Sequence, residues 1–243
     1  MLPDGVNRAN DCICGAGGPE NLLSGRREAL HRLLCSTDNE VVRATLRHST
    51  NTLIYGFAAM RVSINNCVLE LAQGDITQQV VDLIVNAANA QLAGGGGVDG
   101  AIHRRGGPAI MRETDLRYPQ GCPTGSAVIS TAGNLSAQYV AHAVGPVWRG
   151  GSAGEPELLA NAIRRCLELA LEHDCRSVAL PAISTGVYGY PLTEAAQASL
   201  STAIDFLNGA GRPEIVRFVL FGEAAYEAFS ATLAGLSGEH CDS

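Results

Sequence analysis

The chain has 243 residues, 46% of them hydrophobic and 17% charged, which fits a globular protein with one α/β domain and an appendage, or two small domains. Its formal charge is −7 and all 17 basic residues are arginine, so it has no basic stripe of the kind that grips duplex nucleic acid. Residues 1–30 carry Asp4, Arg8, Asp11 and Glu20 without a continuous apolar run, and no segment looks like a spanning helix, so a cytoplasmic protein without membrane association is expected.

In chain order, residues 1–59 read as an N-terminal extension that is partly helical or disordered, with one helix expected over 21–34 and polar sequence on either side. Six acidic and six basic residues cancel there, so the whole net charge resides downstream, where 18 acids face 11 arginines. Met60 follows this break in composition and is a candidate translation start, which the intact mass of the native protein would decide. The eight cysteines are scattered, several at apolar positions of expected elements, as reduced core cysteines are. Cys12, Cys14, His31 and Cys35 match no metal-ligand spacing, so neither a metal nor a disulfide framework is expected.

From Met60 the pattern alternates. Strands are expected over 61–64, 68–71, 83–87, 127–131, 139–143, 177–180 and 216–221. Helices fall between them, one opening at Val98 and others over 107–117, 156–173, 193–208 and 224–236. The helix over 156–173 is the clearest, because Leu159, Ile163, Cys166, Leu167 and Ala170 repeat on one face and Glu155, Pro156 and Glu157 supply a first-turn proline and dipole-matched acids. Leu83, Ile84 and Val85, like Val178, Ala179 and Leu180, are short continuous apolar runs, which implies strands covered on both faces. The expected architecture is a three-layer α/β/α sandwich with a mixed central sheet, formed by residues 60–243. Ligands of such sheets bind beyond the carboxyl ends of the strands.

Four consecutive glycines, Gly94 to Gly97, join the strand ending in Asn86, Ala87, Ala88 and Asn89 to the helix that opens at Val98 and Asp99. Without Cβ atoms, glycines let backbone N–H groups approach an anion closely, and the helix adds the positive end of its dipole. A flexible connector is the plain alternative, but a strand before and a helix after favour a phosphate cradle. The run matches neither the G-x-G-x-x-G dinucleotide fingerprint nor the P-loop. A diphosphate held by neutral amides also suits a chain with no cationic surface.

Four segments together resemble the macrodomain family, in its order and spacing over about residues 62–236: Gly74-Asp75-Ile76-Thr77; Val85-Asn86-Ala87-Ala88-Asn89; Gly95-Gly96-Gly97-Val98-Asp99-Gly100-Ala101-Ile102-His103; and Pro181-Ala182-Ile183-Ser184-Thr185-Gly186-Val187-Tyr188-Gly189. The resemblance implies ADP-ribose as ligand. It assigns the adenine amine to Asp75, a further base contact to the backbone amide of Ile76, and stacking on adenine to Phe221. From the residues alone, Asp75 would be a helix cap or Asx turn and Phe221 core. Asn86 is assigned to the surrounding loops and Asn89 to the distal-ribose hydroxyls, since amides ending a buried strand need partners. The diphosphate goes to Gly95, Gly96, Gly97 and Val98 on one side and to Ser184, Thr185, Gly186 and Val187 on the other, with Tyr188 over the distal ribose.

Asp99 separates an enzyme from a binding module. A carboxylate beside two phosphates weakens simple anion binding, although the first turn of a helix suits an acid. The unbroken G-G-G-G-V-D-G-x-I-H pattern resembles the hydrolytic MacroD-type branch, in which this aspartate positions or activates a water aimed at the anomeric carbon. The implied activity is removal of mono-ADP-ribose from acidic protein side chains, deacetylation of O-acetyl-ADP-ribose, or both, with Asn89 and Asp99 catalytic and no cofactor. The alternatives are a non-catalytic reader of ADP-ribosylated proteins and a phosphatase acting on ADP-ribose 1″-phosphate. His103 is read as a core histidine more readily than as a buttress of Asp99, and His142 as structural.

Overall fold

The computed structural model describes residues 60–239. The expected helix over 21–34, the Cys12, Cys14, His31 and Cys35 group, and Cys241 lie outside the described residues.

Seven strands form one sheet: β1 (Met60–Ile64), β2 (Cys67–Gln73), β3 (Leu83–Ala87), β4 (Ser126–Thr131), β5 (Tyr139–Val144), β6 (Ser177–Leu180) and β7 (Ile215–Leu220). Their spatial order is β1-β2-β7-β6-β3-β5-β4. Neighbours from β2 through β7, β6 and β3 to β5 run parallel, while β1 and β4 are antiparallel edges, so the sheet is mixed as expected. A short 3-10 turn (Ile76–Gln78) follows β2, and the described residues include five helices: α1 (Gly97–Gly106), α2 (Pro108–Arg117), α3 (Glu155–Glu172), α4 (Leu192–Ala210) and α5 (Glu223–Glu239).

The alternation of side chains along each strand produces the layers. On β3, Leu83 and Val85 join the larger core with α3, α4 and α5, while Ile84 turns to the opposite face with Ile102 of α1 and Ile110 of α2. All three strand residues are fully buried, which is why the run reads as continuous rather than alternating. The expected face of α3 is the buried one, with Leu159, Ile163, Cys166, Leu167 and Ala170 all inaccessible, each large aliphatic worth about 2 kcal/mol on burial. Cys67, Cys122, Cys166 and Cys175 are free and buried; burial raises the Cys166 thiol out of reach of ionisation and the Cys175 thiol to about 11.

Asp82 pins the amino-terminal end of the sheet. Its Oδ2 accepts from Arg176 N at 2.8 Å, Ser177 N at 3.0 Å and Ser177 Oγ at 2.9 Å, and its Oδ1 accepts from Gln138 Nε2 at 2.9 Å. One carboxylate thus ties together the starts of β3, β5 and β6. Burial alone would raise its pKa, and these hydrogen bonds bring it below the ordinary value. With that end fixed, the carboxyl ends of five parallel strands are free to build a site. No helix among the described residues is long and apolar enough to cross a membrane.

Candidate active site

Each parallel strand delivers one part of the site at its carboxyl end. Asp75 and the 3-10 turn follow β2, Phe221 follows β7, the loop 181–190 follows β6, Asn86, Asn89 and the glycines belong to β3 and its exit, and Gly145 follows β5. Neighbouring strands are about 4.8 Å apart, so these parts span roughly 19 Å across the sheet, and a ligand touching all of them is extended.

The β3 exit is the most tightly organised. Asn89 Oδ1 accepts from Gln91 N at 3.1 Å and Ala93 N at 3.2 Å, and its Nδ2 donates to Gly94 O at 2.8 Å. The side chain therefore folds residues 89–94 into a defined arch and keeps one amide hydrogen for another acceptor. Gly96 is the N-cap of α1 and offers no side-chain cap, so the first amides of that helix meet no side-chain acceptor. The arch presses on the helix: a Cβ at Gly100 would lie 2.6 Å from Gly95 O, so only glycine permits this approach. A Cβ at Gly96 or Gly97 would enter open space.

Beneath the arch lies Asp99, 5% exposed. Its Oδ1 accepts from Asn86 Nδ2 at 2.6 Å and lies 3.3 Å from His103 Nε2. Its Oδ2 is buried without a protein donor. The ideal Cβ position at Gly95 is 3.2 Å from that oxygen and 4.0 Å from Asn89 Nδ2, which brings Asn89, Gly95 and Asp99 to one point. Burial alone raises the Asp99 pKa, but hydrogen bonds from His103 and Asn86, with the nearby imidazoles, bring it below the ordinary value, so the carboxylate is ionised at neutral pH. Asn86 is fully buried, and its Nδ2 also lies 3.2 Å from His142 Nδ1. His142 Nε2 is 2.8 Å from Ser130 Oγ. Burial first, and the neighbouring His103 second, push the His142 pKa down to about 4.

The loop 181–190 forms the facing wall. Ser184 is buried with φ 67°, a left-handed conformation costly for a residue with a side chain, and its carbonyl accepts from Tyr190 N at 3.0 Å. Thr185 Oγ1 donates to Ala182 O at 2.9 Å, Gly186 O accepts from Gly189 N at 2.9 Å, and Val187 is fully exposed at the tip. Tyr188 is half-buried and its carbonyl accepts from Trp148 N at 2.9 Å, joining this wall to the loop after β5.

At the other end, Asp75 Oδ1 accepts from Thr77 N and Thr77 Oγ1, each at 2.8 Å, and so caps the 3-10 turn that holds Ile76. Its Oδ2 has only a 3.5 Å approach from Gln78 Nε2 and stays available. Phe221 is 83% exposed beside it, because Gly74 N donates to Leu220 O at the ends of β2 and β7. The alternative of Phe221 as core is thereby excluded. Beside Asp75, along α1, runs a cleft of about 540 Å³ lined by Thr77, Ala101, Arg104, Arg105 and Asn134.

Three structural features go beyond the residues assigned to the site from sequence. His103 contacts Asp99, the buttress that the sequence reading ranked below a core histidine, and His142, read as structural, reaches the site through Asn86. The spacing of His103, one helical turn after Asp99, was its signal, whereas His142 carried none, because its place opposite Asn86 is set by the strand register. The loop 145–154 is the third. Glu155, expected only to suit the helix dipole, is 2% exposed and accepts from Arg149 N at 2.9 Å, Gly151 N at 3.2 Å and Ala153 N at 2.6 Å. These backbone N–H bonds, its own included, hold the carboxyl below its ordinary pKa.

A three-layer α/β/α domain whose glycine arch covers a buried, ionised carboxylate at the carboxyl ends of parallel strands defines the class. The Macro domain family model matches residues 85–199. The O-acetyl-ADP-ribose deacetylase of Salmonella typhimurium is 55% identical over 167 residues, which are 68% of this chain and 93% of that protein. A structure of the Oceanobacillus iheyensis macrodomain with ADP superposes with TM-score 0.72 at 41% identity, covering 75% of this chain and 98% of that one. A Trypanosoma brucei macrodomain in complex with ADP-ribose gives TM-score 0.63 at 40% identity, covering 68% of each chain. The chain belongs to the macrodomain family.

Proposed function

We propose that this chain is an ADP-ribose-binding hydrolase that removes mono-ADP-ribose from acidic protein side chains, deacetylates O-acetyl-ADP-ribose, or both, by water attack at the distal ribose. The observation that carries this reading is the ionised Asp99 with one oxygen held by Asn86 and the other, Oδ2, buried beside Gly95 and Asn89 without a protein donor. Leaving a buried acceptor unpaired costs about 1 to 3 kcal/mol, and a site built only to hold a diphosphate gains nothing from an extra negative charge. A substrate-bound water supplies the missing donor. The name of the Salmonella relative and the ligands of the Oceanobacillus and Trypanosoma structures support the same substrate class.

In this reading the diphosphate lies on the amides of Gly95, Gly96, Gly97 and Val98, faced by those of Ser184, Thr185, Gly186 and Val187. Asp75 Oδ2 accepts from the adenine amine, the Ile76 amide donates to the base and Phe221 stacks on it. Tyr188 covers the distal ribose, and the remaining amide hydrogen of Asn89 goes to a ribose hydroxyl. A water shared by Asp99 Oδ2 and a substrate phosphate oxygen attacks the anomeric carbon; the bond from that carbon to the acyl oxygen breaks, the side chain leaves as a carboxylate and the water proton passes to the acceptors that held it. For O-acetyl-ADP-ribose the water attacks the acetyl carbonyl carbon instead; the bond from that carbon to the ribose oxygen breaks, acetate leaves, one water proton goes to the ribose oxygen and the other to the acceptors that held the water. No metal or cofactor is assigned a part.

The reading places this function in residues 60–243, treats 1–59 as an appendage, and puts the protein in the cytoplasm with ADP-ribose, its O-acetyl ester and mono-ADP-ribosylated proteins as partners. Turnover of O-acetyl-ADP-ribose by wild type and Asp99→Ala tests it. We expect kcat to fall at least about 100-fold in Asp99→Ala while ADP-ribose still binds. Equal turnover by the two proteins contradicts the role of Asp99, and a wild type that binds without turnover is a reader.

A further inference from the structure

His142 lies on β5, 1% exposed and paired in register with Asn86 of β3. Ser130 Oγ donates its proton to Thr131 O at 3.1 Å, so toward His142 Nε2, 2.8 Å away, it acts as acceptor. The ring proton is then on Nε2, and Nδ1 presents a bare lone pair. That lone pair takes one hydrogen of Asn86 Nδ2, and the second hydrogen is directed to Asp99 Oδ1. A half-turn of the amide would set its oxygen against both a lone pair and a carboxylate. The imidazole and the carboxylate thus act together to fix the NH2 end of Asn86 toward Asp99 Oδ1, with Oδ2 left toward the glycine arch.

We infer that His142, as a neutral imidazole bonded to Ser130, is a positioning residue that orients Asn86 so that Asp99 is gripped by one oxygen and presents the other to the reacting water. The kinetic consequence rests on the hydrolase reading; the tautomer does not. The groups facing the ring are Asn86 from β3, Ser130 from β4, Asp99 and His103 from α1 and Glu113 from α2. A proton on Nδ1 would set N–H against N–H, free the amide and release Asp99. Burial opposes that proton, with the neighbouring His103 adding to it, so the network stays intact at neutral pH.

Two variants of the full chain and one spectrum test this. His142→Leu removes the acceptor, and His142→Asn returns one near the Nδ1 position without a titrating group. We expect kcat for O-acetyl-ADP-ribose to fall at least about tenfold in His142→Leu, with Kd for ADP-ribose within about twofold of wild type. His142→Asn should recover most of the rate and show an acid limb of kcat displaced to lower pH. Imidazole nitrogen NMR of wild type should show the neutral Nε2–H form of His142 between about pH 8 and 5, a readout that holds whether or not the protein turns anything over. An Nδ1–H or doubly protonated ring at neutral pH overturns the inference. So does wild-type kcat in His142→Leu, or an unmoved acid limb in His142→Asn.

Discussion

His142 and Asp99 give the site a pH dependence whose sign follows from the geometry. The imidazole titrates near 6.5 when unfolded and near 4 in the fold, so between those values the unfolded chain binds a proton that the folded chain refuses. Stability attached to the neutral ring is complete above 6.5 and is lost as the pH falls toward 4, about 3 kcal/mol in total. Asp99, with a lowered pKa, contributes stability that is lost only below the ordinary carboxylate value of 3.8. Urea unfolding at pH 7 and about pH 4.5 should therefore show a clear loss for wild type and a smaller one for His142→Asn. Equal losses would mean that the ring is not held neutral. Asp99 was legible in the sequence because its spacing from the glycines is a recognisable motif. His142 was not, because a histidine on an apolar strand has no local sign of the Asn86 amide that faces it from the neighbouring strand.

At the scale of elements, the two walls of the crevice are positioned by contacts remote in sequence. Gly145 follows β5 and is pressed against the loop after β6: a Cβ there would stand 2.2 Å from Ser184 Oγ and 2.5 Å from Ile183 Cγ2. Trp148 N continues the junction by donating to Tyr188 O, and the Trp148 and Tyr190 rings pack at 4.4 Å. Gly145→Ala must displace the wall at Ser184, so ADP-ribose affinity should weaken at least about tenfold, while the sheet, anchored at its other end by Asp82, retains its melting temperature within a few degrees. An unchanged Kd would show that the loop tolerates the shift. The strands and helices were legible from hydrophobic period, β3 and β6 at both ends and the others with ends displaced by one or two residues, or three at the end of α5. The junction was not, because Gly145 and Glu155 act through partners that only the folded chain brings near.

On the proposed reading, an acidic domain holds an anionic ligand. Residues 60–243 carry 18 acids against 11 arginines. Arg61 and Arg217 are spent on the buried Glu70, Arg165 on Glu168 and Glu172, and Arg176 on Glu214. Arg104 and Arg105 have no ion-pair partner among the described residues and line the cleft beside Asp75, and Arg104 Nη1 also lies 3.1 Å from the ideal Cβ position at Gly100, under the glycine arch. In the proposed reading the diphosphate rests on main-chain amides and the amino-terminal end of α1, whose reach is short and whose direction is fixed by the fold.

The most direct test of this account is a calorimetric titration of the full chain with free ADP-ribose. The expected result is saturable binding at one site, well below millimolar and little changed when salt is raised, since amides rather than exposed charges hold the ligand. Absence of binding at millimolar ADP-ribose would contradict it.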